Sequence, residues 1–200
     1  MNKQWLAVLA IVAGLGLGAT ALVKFAPVPE GAQVGNRAPD FQAVNLLTND
    51  SISFREAYTG HVTLVNIWAT WCAPCRAEMP AMEELYQAFK DQGFRIAAVS
   101  VDEGGPADVM AFARELGLSF DILHDRDGRI QQQYMTTGVP ESFLIDGEGV
   151  IVRKQIGEHP WSSPANRRIL EQLLGQRGGT TAPAAAPPAA SDLERTPSGG

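Results

Sequence analysis

The sequence has little cysteine and no excess of positive charge, and both shortages narrow the range of possible functions. Two cysteines among 200 residues cannot build a small disulfide-rich domain. A net charge of −6 argues against a nucleic-acid-binding protein, which needs a basic patch to neutralise phosphates. A hydrophobic content of 45% excludes a wholly disordered chain, and the length suits one globular domain with flanking segments.

An apolar segment near the N-terminus, residues 5–23, contains no charged residue. At about 1.5 Å per residue it is long enough for a helix to cross a hydrocarbon core of roughly 30 Å. We therefore predict a membrane anchor over residues 1–24. A signal peptide cleaved near Ala19-Thr20-Ala21 is the alternative. Lys3 favours an N-terminus that stays in the cytoplasm, and both alternatives place the remaining chain on the extracytoplasmic side.

The composition divides the remaining chain into three parts. Residues 25–35 are rich in Pro and Gly and predict a short tether. Residues 36–175 alternate strand and helix signals and predict one folded domain. Residues 176–200 consist mainly of Ala, Pro, Gly, Ser and Thr. Because such a segment cannot bury enough apolar surface to offset its ordering entropy, we predict a disordered tail.

Strand and helix signals alternate through the predicted domain. Short apolar runs predict buried strands at residues 62–68 and 94–101, and helical patterns follow each of them, at residues 74–91 and 106–116. The remaining signals predict a hairpin within 40–54, a strand at 120–123, one or two helical turns at 129–134, a second hairpin over 142–156 and a helix over 164–174. Strands separated by helices imply an α/β fold with a partly parallel sheet covered on both faces.

Both cysteines lie in the motif Trp71-Cys72-Ala73-Pro74-Cys75, where a predicted buried strand gives way to a helix. Two thiols separated by two residues can close a small disulfide. A helix N-terminus stabilises negative charge and so favours the thiolate of an exposed first cysteine. We predict that Cys72 is the nucleophile that attacks a substrate disulfide, and that Cys75 is the more buried thiol that resolves the mixed disulfide.

Other uses of the two cysteines fit the sequence less well. A static disulfide normally closes a longer loop, since closing a very short one gains little stability. A zinc site needs four ligands, but the sequence has no second CxxC and its three His residues are scattered, so we predict no metal. The peroxiredoxin pattern PxxxTxxC is absent, because Val65 and Ala69 stand at its Pro and Thr positions.

Three motifs resemble those of the thioredoxin fold: WCxxC after an apolar strand, Pro80 beyond it, and Gly138-Val139-Pro140 ahead of a strand. The predicted anchor, the first hairpin and residues 137–146 narrow the resemblance to the membrane-tethered TlpA/ResA/CcmG group. It covers roughly residues 35–175. The resemblance implies a thioredoxin-like mixed sheet flanked by helices, with an extra N-terminal β-hairpin. It also implies an extracytoplasmic thiol–disulfide oxidoreductase.

The resemblance further implies which residues would bind a substrate. Pro140 matches the cis-proline loop that faces the active disulfide in this group. Val139 would offer its backbone to an extended substrate peptide, as an added strand. Glu141 follows the cis-proline position as in CcmG-like members. Trp71 is expected to pack against the substrate and to shield the site rather than to take part in the chemistry.

Glu78 is the implied proton acceptor for the resolving thiol. It lies one helical turn after Cys75 and matches an acidic position of ResA-like members. Cytosolic thioredoxins have a buried Asp where this chain has Asn66, an amide that cannot titrate. A partly buried carboxylate has a raised pKa and is able to exchange protons near neutrality, so Glu78 is the residue expected to replace that Asp.

Members of the group suggest clients and partners. Many reduce the haem-binding CxxCH cysteines of apocytochrome c. This reduction requires electrons from a CcdA- or DsbD-like membrane donor, and it needs no bound cofactor. The alternative is a copper-handling or disulfide-reducing factor for cytochrome oxidase assembly. A Sco-type copper protein would show CxxxC and a well-placed His, whereas this chain has CxxC and no His just before Pro140. A general disulfide oxidant stays open, because Ala73-Pro74 does not fix the reduction potential.

Overall fold

The computed structural model describes Gln4, residues 11–15 and residues 31–177. Gln4 and residues 11–15 are helical. The rest of the predicted anchor, residues 25–30 of the predicted tether and the predicted tail from residue 178 onward lie outside the described residues. No helix in the described part of the chain combines the length and the apolar character needed to cross a membrane.

Residues 31–177 form a 7-stranded sheet with helices in the connections. The elements in chain order are β1 (Gln42–Asn45), β2 (Ser51–Ser53), α1 (Phe54–Tyr58), β3 (Val62–Trp68), α2 (Ala73–Phe89), β4 (Phe94–Ser100), α3 (Pro106–Glu115), β5 (Asp121–His124), α4 (Arg129–Gln133), β6 (Glu141–Ile145), β7 (Ile151–Ile156) and α5 (Pro164–Arg177). A single 3-10 turn, Lys90–Gln92, follows α2.

The sheet has the order β2-β1-β5-β4-β3-β6-β7. Strands β3, β4 and β5 are parallel, whereas β1–β2, β1–β5, β3–β6 and β6–β7 pair antiparallel. This confirms the predicted mixed sheet, and the two predicted hairpins lie at its two ends. One apolar cluster joins the sheet to α2, α3 and α5, and a second joins its other face to α1 and α4. Because both faces are covered, every residue of β3 is buried.

Helix α1 is an element that the sequence did not predict. It has only five residues, which is too short to show a helical repeat of apolar positions. Its local signals are the N-cap Ser53, whose side chain accepts the backbone N–H of Glu56, and the buried side chains of Phe54 and Tyr58. The hairpin predicted within residues 40–54 precedes it and turns between Asn45 and Ser51.

Two predicted boundaries differ from the structure. The sequence predicts that residues 31–35 belong to the tether, but Ala32 has no exposed area and Gly35 donates its backbone N–H to the carbonyl oxygen of Ile151 at 2.8 Å. Gly35 has a φ of 91°, which L side chains rarely adopt, and a count of Pro and Gly does not reveal that the chain docks on β7. At the other end, α5 continues to Arg177, so the first two residues of the predicted tail are helical.

Strand register brings two separate motifs to one end of the sheet. Asn66 pairs with Ser142, and Ile67 pairs with Glu141. The carboxyl end of β3, which leads to the CxxC motif, therefore lies beside Pro140, the residue that precedes β6.

Candidate active site

Cys72 and Cys75 form a disulfide at the start of α2, with their sulfur atoms 2.07 Å apart. Cys72 is the N-cap residue of this helix, and its Sγ accepts the backbone N–H of Cys75 at 3.2 Å. Its carbonyl oxygen accepts the N–H of Arg76, as the first bond of the helix. The capping atom is normally an oxygen of Ser, Thr, Asp or Asn. Here a sulfur takes that place, and the helix dipole favours a negative charge on it.

The structure corrects the predicted exposure of Cys72. Its exposed fraction is only 4%, because the disulfide packs into the apolar cluster that contains Trp68 and Met79 and that Val139 borders. Cys75 has no exposed area, so the predicted order of burial is confirmed. The disulfide therefore meets solvent only through Cys72, and a substrate sulfur has to approach from that side.

Trp71 stands beside this narrow opening with 71% of its surface exposed. An indole so exposed, next to a nearly buried disulfide, offers an apolar surface that a substrate is able to cover. A contact between Trp71 and a substrate stays a prediction, and the high exposure of the indole is consistent with that prediction.

The segment before Trp71 is held by a residue that the sequence analysis missed. The Asp102 carboxylate accepts the backbone N–H of Thr70 at 3.0 Å and its hydroxyl at 2.6 Å. It also accepts the hydroxyl of Ser100 at 2.6 Å. The loop after β4 thus fixes the chain that leads into Cys72.

Glu78 lies inside the protein with an exposed fraction of 2%. Asn66 donates its Nδ2–H to Oε1 at 2.9 Å. Oε2 accepts the backbone N–H of His159 at 3.1 Å and the indole N–H of Trp161 at 3.2 Å. The carboxylate is therefore held by three neutral donors, from β3 and from the loop between β7 and α5.

Burial dominates the acidity of this carboxyl group. It raises the pKa of Glu78 from its ordinary value of 4.5 to about 7, although the bonds from Asn66, His159 and Trp161 each act in the opposite direction. The negative charge of Glu158 adds a smaller increase in this pKa. Glu78 is thus able to gain and lose a proton near neutral pH.

Asn66 connects the carboxyl group to the sheet. Its Nδ2 donates a second bond, to the hydroxyl of Ser142 on the neighbouring strand, at 2.8 Å. Its Oδ1 is buried and has no hydrogen-bond partner among the residues that the structure describes. Asn66 and Ser142 are polar residues in strands that are otherwise largely apolar. Such a polar pair is a signal for a buried hydrogen-bond network that sequence reasoning could have used.

The loop before β6 has the geometry that the resemblance implied. The Val139–Pro140 peptide bond is cis. Pro140 is buried and its carbonyl oxygen accepts the N–H of Gly157 at 2.8 Å. Val139 is half-buried against the cluster that contains both cysteines.

Glu141 occupies a different position from the one that a substrate-binding side chain requires. It has no exposed area. Its Oε1 forms an ion pair with Lys154 Nζ at 2.6 Å, and its Oε2 accepts the backbone N–H of Thr137 at 3.1 Å. The carboxylate turns inward because β6 buries both of its faces, so a contact between Glu141 and a docked peptide would have to involve its backbone.

Two partners of the buried carboxylates, Trp161 and Lys154, had no signal in the sequence. Trp161 lies in a loop with no periodic pattern, and it reaches Glu78 across 83 positions of the chain. Lys154 lies between Arg153 and Gln155 on an edge strand, as an ordinary exposed lysine would. Such contacts depend on how the elements pack, which local patterns do not specify.

The described part of the chain contains no evident metal centre. Within residues 31–177 no three His, Cys, Asp or Glu side chains come together in a way that could hold a metal ion. The ring of His159 packs against Trp161 and contacts Asn166 Nδ2 at 3.0 Å. The copper-handling alternative thus has no three-ligand cluster to support it there.

Comparison with known proteins places the chain among redox proteins. Residues 34–154 match the AhpC/TSA family. The thiol-disulfide oxidoreductase ResA of Bacillus thuringiensis (strain Al Hakam) is 37% identical over 151 residues, which is 76% of this chain and 85% of ResA. The thioredoxin-like protein YneN of Bacillus subtilis (strain 168) is 36% identical over 162 residues, covering 78% of this chain and 92% of YneN.

A solved structure agrees with this result. A protein of Chlorobium tepidum assigned as the thiol:disulfide interchange protein DsbE superposes with a TM-score of 0.62 at 30% sequence identity. The match covers 74% of this chain and 99% of that protein. The thioredoxin-like α/β fold is thereby confirmed.

We expect the oxidised protein to lose stability as pH rises from about 4.5 to about 7, relative to Glu78→Gln. The folded protein keeps the Glu78 proton up to a pKa of about 7, whereas the unfolded chain releases it near 4.5. The unfolded state thus binds fewer protons in this interval, and the free energy of unfolding falls as pH rises. The cysteines do not titrate while they are disulfide-bonded.

Urea denaturation between about pH 4 and about pH 8 measures this effect. Subtracting the Glu78→Gln curve from the native curve isolates Glu78. Glu171→Gln, at an exposed position of α5, is the matched control and should follow the native curve. The expectation would be contradicted if the difference in unfolding free energy between the native protein and Glu78→Gln did not change with pH.

Proposed function

The chain belongs to the AhpC/TSA family, among relatives of the ResA thiol–disulfide oxidoreductases, and from this membership we propose that it reduces protein disulfides outside the cytoplasm. It is a thiol–disulfide oxidoreductase with the Cys72–Cys75 pair as its redox centre. The observation that carries the proposal is the Cys72 sulfur at the N-cap of α2, within reach of the Cys75 N–H, with the buried Glu78 one helical turn beyond Cys75.

The reaction starts from the dithiol form of the pair. The Cys72 thiolate attacks one sulfur of a substrate disulfide, so a mixed disulfide forms and the other substrate sulfur leaves as a thiolate. Cys75, after losing its proton, attacks the Cys72 sulfur and closes the internal disulfide. The second substrate sulfur leaves as a thiolate. Two electrons pass from the cysteine pair to the substrate, and the two substrate thiolates take up two protons.

We assign the proton of Cys75 to Glu78. Both side chains lie on the buried side of α2, three residues apart. The pKa of about 7 lets the carboxylate accept a proton during turnover and release it afterwards. Asn66 is able to serve both states of Glu78: its Nδ2–H donates to the carboxylate, and its unpaired Oδ1 would accept from the protonated acid after rotation of the amide.

The surface around the disulfide supports a protein substrate. An extended peptide would lie along the backbone of Val139 and cover the exposed ring of Trp71. The narrow opening at Cys72 favours a disulfide that is presented on a flexible segment. A disulfide inside a folded core would not reach a sulfur with 4% exposure.

We also propose a location and partners for the enzyme. The uncharged residues 5–23 support a membrane anchor that holds the domain on the extracytoplasmic, periplasmic side. An oxidising compartment keeps the pair in its disulfide form, so a reductant there needs a membrane electron donor of the CcdA or DsbD type. The resemblance to the TlpA/ResA/CcmG group supports apocytochrome c, with its haem-binding CxxCH cysteines, as the client.

We expect Cys75→Ser to trap the client on Cys72. The variant lacks the resolving thiol, so the mixed disulfide accumulates instead of being released. Non-reducing electrophoresis of membranes from cells that produce the variant, followed by mass spectrometry, should show an adduct that reductant dissolves and that contains an apocytochrome c.

The variant Cys72→Ser/Cys75→Ser is the control and should trap nothing. Failure of Cys75→Ser to trap any protein would contradict the proposed reductase. A trapped partner without a CxxCH segment would contradict the assignment to cytochrome c maturation and leave the reductase activity supported.

We expect Glu78→Gln to slow the release of product from the mixed disulfide by about 100-fold, since the proton acceptor for Cys75 is lost. Rapid mixing of the reduced protein with a peptide disulfide separates this step from the attack by Cys72. The rate of release in the native protein should rise with pH through about 7, and the variant should lack this rise. Equal rates and equal pH profiles for the two proteins would remove Glu78 from the mechanism.

A further inference from the structure

The loop over residues 137–141, here called the Pro140 loop, is closed by the carboxylate of its own last residue. Glu141 Oε2 accepts the backbone N–H of Thr137 at 3.1 Å. The bond joins the two ends of the loop, with Val139 and Pro140 between them. The carboxylate that makes this bond has no exposed area, so its charge has to be compensated by a neighbouring group.

Lys154 supplies the compensating charge. It lies on β7, an edge strand of the sheet, opposite Phe143. Since Glu141 is opposite Ile156, Lys154 reaches Glu141 diagonally across the two strands. Its Nζ lies 5.2 Å from the centre of the Phe143 ring and 2.6 Å from Glu141 Oε1.

This ion pair differs from the other ion pairs among the described residues. Side-chain exposure is 19% for Lys154 and 0% for Glu141. In the other pairs both side chains are at least 31% exposed. An exposed pair contributes little, whereas removing one partner of a buried pair leaves an uncompensated charge inside the protein.

We propose that Lys154 is a positioning residue for substrate binding, which holds the Pro140 loop in its peptide-binding shape by neutralising the buried carboxylate of Glu141. Without the lysine, the carboxylate would leave its site for solvent or lose its charge, and its bond to Thr137 would weaken or break. The inference rests on the proposed docking of a peptide at Val139.

The cysteine chemistry should not depend on this lysine. Ser142 points to the face of the sheet that holds Asn66 and Glu78. Glu141 and Lys154 lie on the opposite face, with Phe143 and the second apolar cluster. Loss of the lysine should therefore weaken the binding of peptides and leave the attack by Cys72 on a small disulfide unchanged.

Lys154→Met tests the inference, because methionine keeps most of the length of the side chain and removes the charge. We expect the KM for a peptide with an internal disulfide to rise about tenfold, with kcat and the rate with a small aromatic disulfide reagent unchanged. Lys154→Arg should restore the native KM. Arg55→Met, which breaks the exposed pair with Asp40, is the control and should change neither value.

The double variant Lys154→Met/Glu141→Gln separates charge compensation from a general loss of structure. A neutral amide needs no counter-ion and still offers an oxygen to Thr137, so the KM of the double variant should return towards the native value. If Lys154→Met does not fold, the double variant decides: a native KM supports the inference, and a raised KM overturns it.

Amide hydrogen exchange at Thr137 gives a readout that needs no substrate. We expect faster exchange in Lys154→Met than in the native protein. Unchanged exchange, an unchanged KM, or an equal loss of rate with the peptide and the small reagent would each overturn the inference. If the proposed function itself were wrong, the native protein would reduce the small reagent but no peptide.

Discussion

The bond from the Cys75 N–H to the Cys72 sulfur, at 3.2 Å, is the interaction on which the chemistry of this protein depends. It exists because β3 ends at Trp68 and α2 begins at Ala73, so that the intervening turn places the sulfur at the N-cap. Asp102 fixes this turn through Thr70. A sulfur held at this point carries negative charge more easily than a free thiol, which supports the proposed role of Cys72 as the attacking residue.

Two buried carboxylates have different partners, and we assign them different roles for that reason. Glu78 is surrounded by neutral donors, and its burial raises its pKa to about 7, which suits the exchange of a proton with Cys75. Glu141 has a cation, Lys154, and closes the Pro140 loop. We therefore assign proton transfer to one face of the sheet and the shape of the Pro140 loop to the other.

Local signals predicted much of this arrangement. The apolar run of β3, the CxxC motif and the start of α2 lie within fourteen positions of one another, so a pattern in the sequence specifies them. The exposure of Cys72 was predicted wrongly, because its burial arises in an apolar cluster that includes residues far along the chain, such as Leu144 and Trp161. Trp161 and Lys154 were missed for the same reason, and α1 was too short to show a repeat.

The most direct test is the titration of Cys72 in the reduced protein, followed by its ultraviolet thiolate absorbance and by its rate of alkylation at each pH. The Cys75→Ser variant isolates the signal of Cys72. The account predicts that the thiol ionises at a clearly lower pH than the same cysteine in the urea-unfolded chain. Ionisation at the same pH in the folded and unfolded protein, or at a higher pH when folded, would contradict it.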